Sequence, residues 1–192
     1  MPTANQINPP TALLTIDMQQ GIARVSAPRN NPGAEQKIAA LHQHWRAMGW
    51  PLVHIRHISR QAESVFAPGQ SGALFQPAFE PQAGEYVLEK NVTDAFCHSA
   101  LERWLHVRGI EQLVIVGVAS ENSVEATARS ASNLGFKTLV IHDACYTFDK
   151  TDFAGQSRRA DDVHNMAMAN LRDEYAEVIG CSELVKRFAA QP

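Results

Sequence analysis

The stretch "LVIVGVASENSVEATARSA", residues 113–131, carries the reading of the fold. Its first half is an unbroken apolar, largely β-branched run, the pattern of a strand covered on both faces. The run stops at Gly117 and passes into a short polar elbow. From Ser123 the chain resumes as an alanine-rich amphipathic segment, which predicts a helix closed by Gly135. A buried strand that hands over to a helix through a tight elbow is one half of a βαβ unit.

The same alternation continues on either side. "ALLTIDM" (12–18), "PLVHIRH" (51–57), "EYVLEK" (85–90), "QLVIVGV" (112–118), "KTLVIHDA" (137–144) and "EVIG" (177–180) read as strands. Helix-period segments lie between and after them, at 31–50, 99–109, 123–135, 160–176 and 182–188. Strands separated by helices predict a parallel sheet with helices on both faces, an α/β doubly wound domain spanning 1–192. The stretch 58–84 departs from this pattern, with three prolines, three glycines and no clear period. A loop of that length inside a compact domain is usually functional, so 58–84 is expected to wall a pocket through Phe66, Phe75 or Phe79.

Composition excludes several classes. The net charge is −3, and no Lys/Arg stripe interleaved with aromatics suggests nucleic acid as a partner. No apolar run approaches the ~20 residues needed to span a bilayer. The first residues lack a basic region followed by an apolar stretch, so no signal peptide is expected. The three cysteines, Cys97, Cys145 and Cys181, match no zinc or redox spacing and are expected to be reduced spectators in the cytoplasm. No G-x-G-x-x-G follows the first strand, which argues against a dinucleotide. His54 and His57 are three apart on a strand and should face opposite ways, so neither a metal site nor a cofactor is expected.

Ligands of an open parallel sheet bind outside the carboxyl ends of its strands, where strand order reverses. The residues at those ends are Asp17, Met18, Gln19, His57, Lys90, the elbow 117–123 and Asp143. An acid, a base, an imidazole and a helix N-terminus thus share one rim. Unpaired N–H groups at such an elbow can stabilise developing negative charge. Ordinary roles also suit each residue taken singly: Asp17 and Ser123 as caps, Lys90 as a solvated strand end, Asp143 as a structural acid.

In their order and spacing, "LLTIDMQQG", "VHIRHIS", "FAPGQSGALFQP", "GEYVLEKNVTDAF", "GVASENSVEATARSASNLGF", "HDACYTFD" and "ADDVHNMAMANL" resemble the isochorismatase-like hydrolases, or cysteine hydrolase superfamily, over nearly the whole chain. The resemblance implies a six-stranded, mostly parallel, Rossmann-like three-layer sheet and a homodimer or homotetramer acting on a small molecule. It implies a triad of Asp17, Lys90 and the elbow residue, here Ser123. It also implies a cis peptide at Val118–Ala119, with the amides of Ala119 and Ser123 forming an oxyanion site. Gln19, His57, Phe66, Phe75, Phe96, Asn122 and Tyr146 are expected around the substrate.

The departure from the family is the nucleophile, because the usual cysteine is Ser123 here. A thiol ionises readily at a helix N-terminus beside a lysine. A serine hydroxyl needs a base placed to take its proton. Three readings follow. One is hydrolysis of an amide or related C–N bond with Ser123 as nucleophile and Asp17 as base. Another is vinyl ether cleavage of the isochorismatase type, in which Asp17 protonates the substrate, Arg56 is a candidate anion partner and no covalent intermediate forms. The third is a binding or regulatory protein that has kept the fold without the activity.

Overall fold

The computed structural model describes residues 10–189. Six parallel strands form its sheet: β1 (Thr11–Ile16), β2 (Leu52–His57), β3 (Tyr86–Lys90), β4 (Gln112–Val118), β5 (Lys137–Tyr146) and a last strand at Glu177–Ile179. Their spatial order is β3-β2-β1-β4-β5 followed by that last strand. The chain winds outward from β1 through β2 to β3, then returns to the other side of β1 with β4. Strand order therefore reverses between β1 and β4, the place such sheets reserve for ligands.

Helices cover both faces, as the unbroken burial of β1 and β4 requires. Besides the short α1 (Gln20–Ala23), α2 spans Ala34–Met48 and buries Ala34, Ile38, Leu41, His42 and Trp45 along one stripe of helical spacing. Trp45 donates its indole N–H to the carbonyl of Thr11 at 2.9 Å, pinning the helix to β1. A buried aromatic or branched aliphatic side chain of this kind contributes roughly 1.5–3 kcal/mol. On the opposite face α3 (Leu101–Val107), α4 (Glu125–Asn133) and α5 (Ala160–Leu171) pack Leu101, Leu105, Ala128, Ala131 and Met168 against Leu14, Ile16, Val53 and Ile55. Helix α6 (Cys181–Ala189) joins α2 on its side through Leu184.

Sequence and structure differ mainly at element ends. The segment expected as a helix from residue 31 becomes regular only at Ala34, and the one expected to reach 176 stops at Leu171. Asn31 is drawn away from α2 because its side-chain amide donates to the carbonyls of His142 and Cys145. Two very short antiparallel strands, β6 (Lys150–Thr151) and β7 (Ser157–Arg158), form a hairpin that the sequence reading passed over. The last strand of the sheet is therefore β8. Residues 58–84 fold as turns, including 3-10 turns at Ser71–Ala73 and Pro77–Phe79.

Candidate active site

The three rim residues meet where strand order reverses. Lys90 ends β3 on the face shared by Leu88, an alternation that puts its ammonium in the interior rather than in solvent. Asp17 follows β1 directly and is held at φ 54°, a left-handed conformation uncommon for a residue with a side chain. Its N–H donates to Ile55 and its carbonyl accepts from Gln19, so both flanks of that turn are fixed. Lys90 Nζ donates to Asp17 Oδ2 at 2.7 Å and to Ser123 Oγ at 3.1 Å. The lysine side chain has no exposed surface, and Asp17 Oδ1 is buried without a hydrogen-bond partner.

The elbow is not the start of a regular helix. Residues Ser120–Val124 form a wide π turn, with Val124 N–H donating to Ala119 at 3.2 Å, and α4 becomes regular from Glu125. Such turns occur frequently at functional sites. The Val118–Ala119 peptide is cis. Gly117 makes the approach of the elbow to Asp17 possible. Its φ is +123°, and a Cβ there would lie 2.2 Å from the Ile16 carbonyl oxygen. Only glycine lets the ends of β1 and β4 come so close.

Two buried contacts that the sequence reading missed brace this arrangement. Ser120 Oγ lies 2.7 Å from His164 Nδ1, tying the elbow to α5. Burial holds the His164 imidazole below the usual histidine range. Thr127, fully buried in α4, accepts the N–H of Ala95 at 3.2 Å and so ties the loop after Lys90 to the elbow helix. A polar residue on the apolar stripe of Val124, Ala128 and Ala131 is the signal that could have exposed Thr127.

A cavity of about 250 Å³ opens beside these groups. Asp17, Ala119, Asn122 and Ser123 line it together with Ile22, His57, Phe66 and Thr93. Of the expected wall residues, Gln19, His57, Phe66 and Asn122 are there, while Ile22 and Thr93 are additions. Burial, and then the charge of Lys90, hold the His57 imidazole below its ordinary range. Gln19 is wholly buried and works as a brace, donating to the carbonyls of His57 and Ala73 and accepting the N–H of His57. Among the described residues, no arginine or lysine lines this cavity.

Several expected wall residues lie elsewhere. Phe75 pairs its backbone with Gln19 and packs its ring edge-on to His54 at 5.8 Å, beneath the Arg56 guanidinium. Phe79 is fully buried in the α2 layer. Phe96 stacks on Phe136 at 5.8 Å against the α3–α4 layer. Tyr146 is buried on the α2 side, with Arg29 over its ring at 4.1 Å. Each of these aromatics gains more contact in a core layer than a cavity of this size could offer. Arg56 pairs with Glu89 on the neighbouring strand and is absent from the cavity wall.

His54 and His57 do separate: His54 sits near His42 and Glu85 inside the α2 layer, and His57 faces the cavity. Asp143 is structural, accepting from Lys37 at 2.5 Å and from the Cys181 N–H at 2.8 Å. No cysteine lines the cavity, and burial pushes the Cys181 thiol up to about 12. A larger cleft of about 560 Å³ lies at the amino ends of β5 and β8, and its walls carry none of the groups just described.

The family profile described as isochorismatase domain matches residues 11–183. A streptothricin hydrolase from Streptomyces noursei is 34% identical over 197 residues, covering 100% of this chain and 74% of its own. The maleamate amidohydrolase of Pseudomonas putida is 29% identical over 185 residues, covering 88% and 82%. A crystal structure of an isochorismatase-family protein from Chromobacterium violaceum superposes with a TM-score of 0.91 at 46% identity, covering 98% of this chain and 96% of that one.

Proposed function

The chain belongs to the isochorismatase family of hydrolases, and from that premise we propose that it hydrolyses the C–N bond of a small, uncharged amide or related compound. The observation that carries this reading is the Lys90 ammonium shared between Asp17 and Ser123, with the second Asp17 oxygen left free at the cavity. In the proposed cycle Ser123 Oγ attacks the carbonyl carbon while its proton passes to Asp17. The amides of Ala119 and Ser123 receive the oxyanion. Collapse breaks the C–N bond, and the departing nitrogen takes the proton from Asp17. Water, deprotonated by Asp17, then hydrolyses the ester and returns the proton to Ser123. Lys90 holds Asp17 in place throughout.

The cavity supports an uncharged substrate. It has no arginine or lysine in its wall, and His57 is disposed toward its neutral form. A relative whose name specifies amide hydrolysis, the maleamate amidohydrolase, favours C–N chemistry over ether cleavage. One observation favours the vinyl ether reading. Ser123 is bonded to Lys90 rather than to a base, so Asp17 is free to act on a substrate directly.

Ser123→Ala separates the two after a screen of amides and isochorismate has found a substrate. With Ser123 as nucleophile, the change should lower kcat by roughly 10³-fold or more, leaving only the rate supported by the remaining site. A loss of roughly 10- to 150-fold or less, the worth of one hydrogen bond to a charged group, would transfer the chemistry to Asp17 alone.

A further inference from the structure

The segment 58–84 reaches the cavity at one residue. Among the described residues, Phe66 is its only contribution to the wall, and with Ile22 and Val118 it supplies the large apolar lining. Its backbone is tied down on both sides. The N–H donates to Ser64 Oγ at 3.2 Å, and the carbonyl accepts the N–H of Ser59 at 2.9 Å. The carbonyl just before it, on Val65, presses on Gly72, where a Cβ would lie 2.3 Å from that oxygen. The main chain that carries the ring is therefore wedged against the turn at Ser71–Ala73.

The ring is backed as closely. A Cβ at Gly21 of α1 would lie 2.7 Å from Phe66 Cε1 and 3.0 Å from Cζ, so the outer edge of the ring rests on bare backbone. His57 stands edge-on to it, with ring centroids 6.2 Å apart. With Gly21 behind it and its own backbone fixed, the ring has no room to retreat toward α1 when a ligand presses on it. The cavity it bounds is about 250 Å³, below the ~300–1,000 Å³ usual for small-molecule pockets, whereas a space of about 150 Å³ already holds benzene. Beside Asp17 and Ser123 there is room for one ring-sized body and not for two.

We propose that Phe66, seated on Gly21, is a specificity-determining residue that limits the cavity to substrates with a single ring-sized group next to the bond that is cut. The identity of that bond rests on the C–N reading; the limit itself rests on the geometry of the wall. A larger group must turn the Phe66 ring out of its seat. One methylene too many in an apolar pocket already changes specificity by roughly 10- to 200-fold, so a displaced aromatic ring is a strong filter. Gly21 is the other half of the device, since any side chain there would drive the ring from its place.

The test uses Ser123→Cys as a reporter, with alkylation at position 123 followed by peptide mass spectrometry. Iodoacetamide and N-biphenylyl iodoacetamide both react by thiolate attack on the methylene carbon with loss of iodide, and each rate is divided by that reagent's rate with free cysteine. In Ser123→Cys alone the biphenylyl reagent should be slower by roughly tenfold or more. Adding Phe66→Ala should raise its rate roughly 10- to 200-fold and leave iodoacetamide near its parent rate, with Phe66→Leu between. Val65→Ala should change neither, because Val65 is 53% exposed and off the wall. Equal rates for the two reagents in the parent, an equal rise for both in Phe66→Ala, or the same ratio in Phe66→Ala as in Val65→Ala would each overturn the proposal. On the Ser123 enzyme, kcat/KM should fall from benzamide to biphenylcarboxamide and recover for the larger amide in Phe66→Ala. Benzamide turnover with an unchanged ratio in Phe66→Ala would overturn the size limit alone. A screen in which no amide is turned over would defeat the C–N reading and leave the alkylation ratios to decide the limit.

Discussion

Replacing Gly117 with alanine tests the closeness of β1 and β4 on which the site depends. Two costs can be separated. The first is conformational: φ of +123° lies where a residue with a Cβ is strained by about 1–3 kcal/mol. The second is steric. The new methyl would lie 2.2 Å from the Ile16 carbonyl oxygen and 2.8 Å from the Ile16 nitrogen, both backbone atoms of the adjacent strand. Relief to an ordinary carbon–oxygen separation of ~3.3 Å requires the strand ends to part by roughly 1 Å. Overpacking on that scale costs a further 1–3 kcal/mol, approximately. Gly84 supplies the control, because its φ is +91° but a Cβ there would meet nothing within 4 Å. Gly84→Ala should therefore show the first cost alone and Gly117→Ala both. For a chain of this size each kcal/mol corresponds to about 2–4 °C in Tm. Gly117→Ala should melt about 2–12 °C below Gly84→Ala in calorimetry and lose most of its activity, while Gly84→Ala keeps its activity. Equal melting temperatures with activity retained in both would refute the claim that this approach builds the site.

Lys90→Met should destabilise by about 3–5 kcal/mol in urea unfolding, because it leaves the Asp17 carboxylate buried with no partner. Combining it with Asp17→Asn should restore much of that loss, and a double variant no more stable than Lys90→Met would count against the pairing. Ser123→Cys should create a thiol that iodoacetamide alkylates faster than Cys97, Cys145 or Cys181, given the ammonium and the helix start beside it. Equal rates would mean that the elbow is not activating. Acid should weaken the fold through His42, whose imidazole burial lowers to about 3. A histidine depressed in the folded state binds its proton first in the unfolded chain. Stability is therefore full above the unfolded value of ~6.5 and falls by up to ~1.4 kcal/mol per pH unit below it, flattening near the folded value. His42→Gln should reduce that slope between pH 6.5 and 5, approximately; an unchanged slope would assign it to other groups.

Much of this architecture is legible in residue patterns. "LLTI" and "LVIV" announce strands covered on both sides, and the six strands, their parallel sense and the rim that collects Asp17, Lys90 and Ser123 follow from alternation with helices. Lys90 is legible in a finer way, since "YVLEK" places it in phase with Tyr86 and Leu88, where the pattern calls for a buried residue. The aromatics were misread because composition does not distinguish a pocket wall from a core. Phe75, Phe79, Phe96 and Tyr146 look alike in sequence, and only the packing of layers decides that three of them fill the interior and Phe96 packs half-buried against it. Ser120 with His164 and Thr127 with Ala95 were hidden for another reason. These pairs are separated by 44 and 32 residues, and apart from Thr127 on its apolar stripe no member is unusual in its own segment. The hairpin carrying Phe153 has strands too short for any period to register.

Gln19 bears on the thermodynamics of ligand uptake. Its amide joins the end of β2 to the carbonyl of Ala73 through bonds of 2.9 and 3.0 Å, the second of them buried. Swinging the 58–84 segment outward as a flap would break a buried hydrogen bond and strand a polar group, at about 1–3 kcal/mol. The recess beside Asp17 is thus assembled before a ligand arrives, and little backbone ordering remains to oppose binding. Titration calorimetry should then show a small heat-capacity change, set by the apolar surface of the ligand and of the cavity walls it covers, because no segment closes over it.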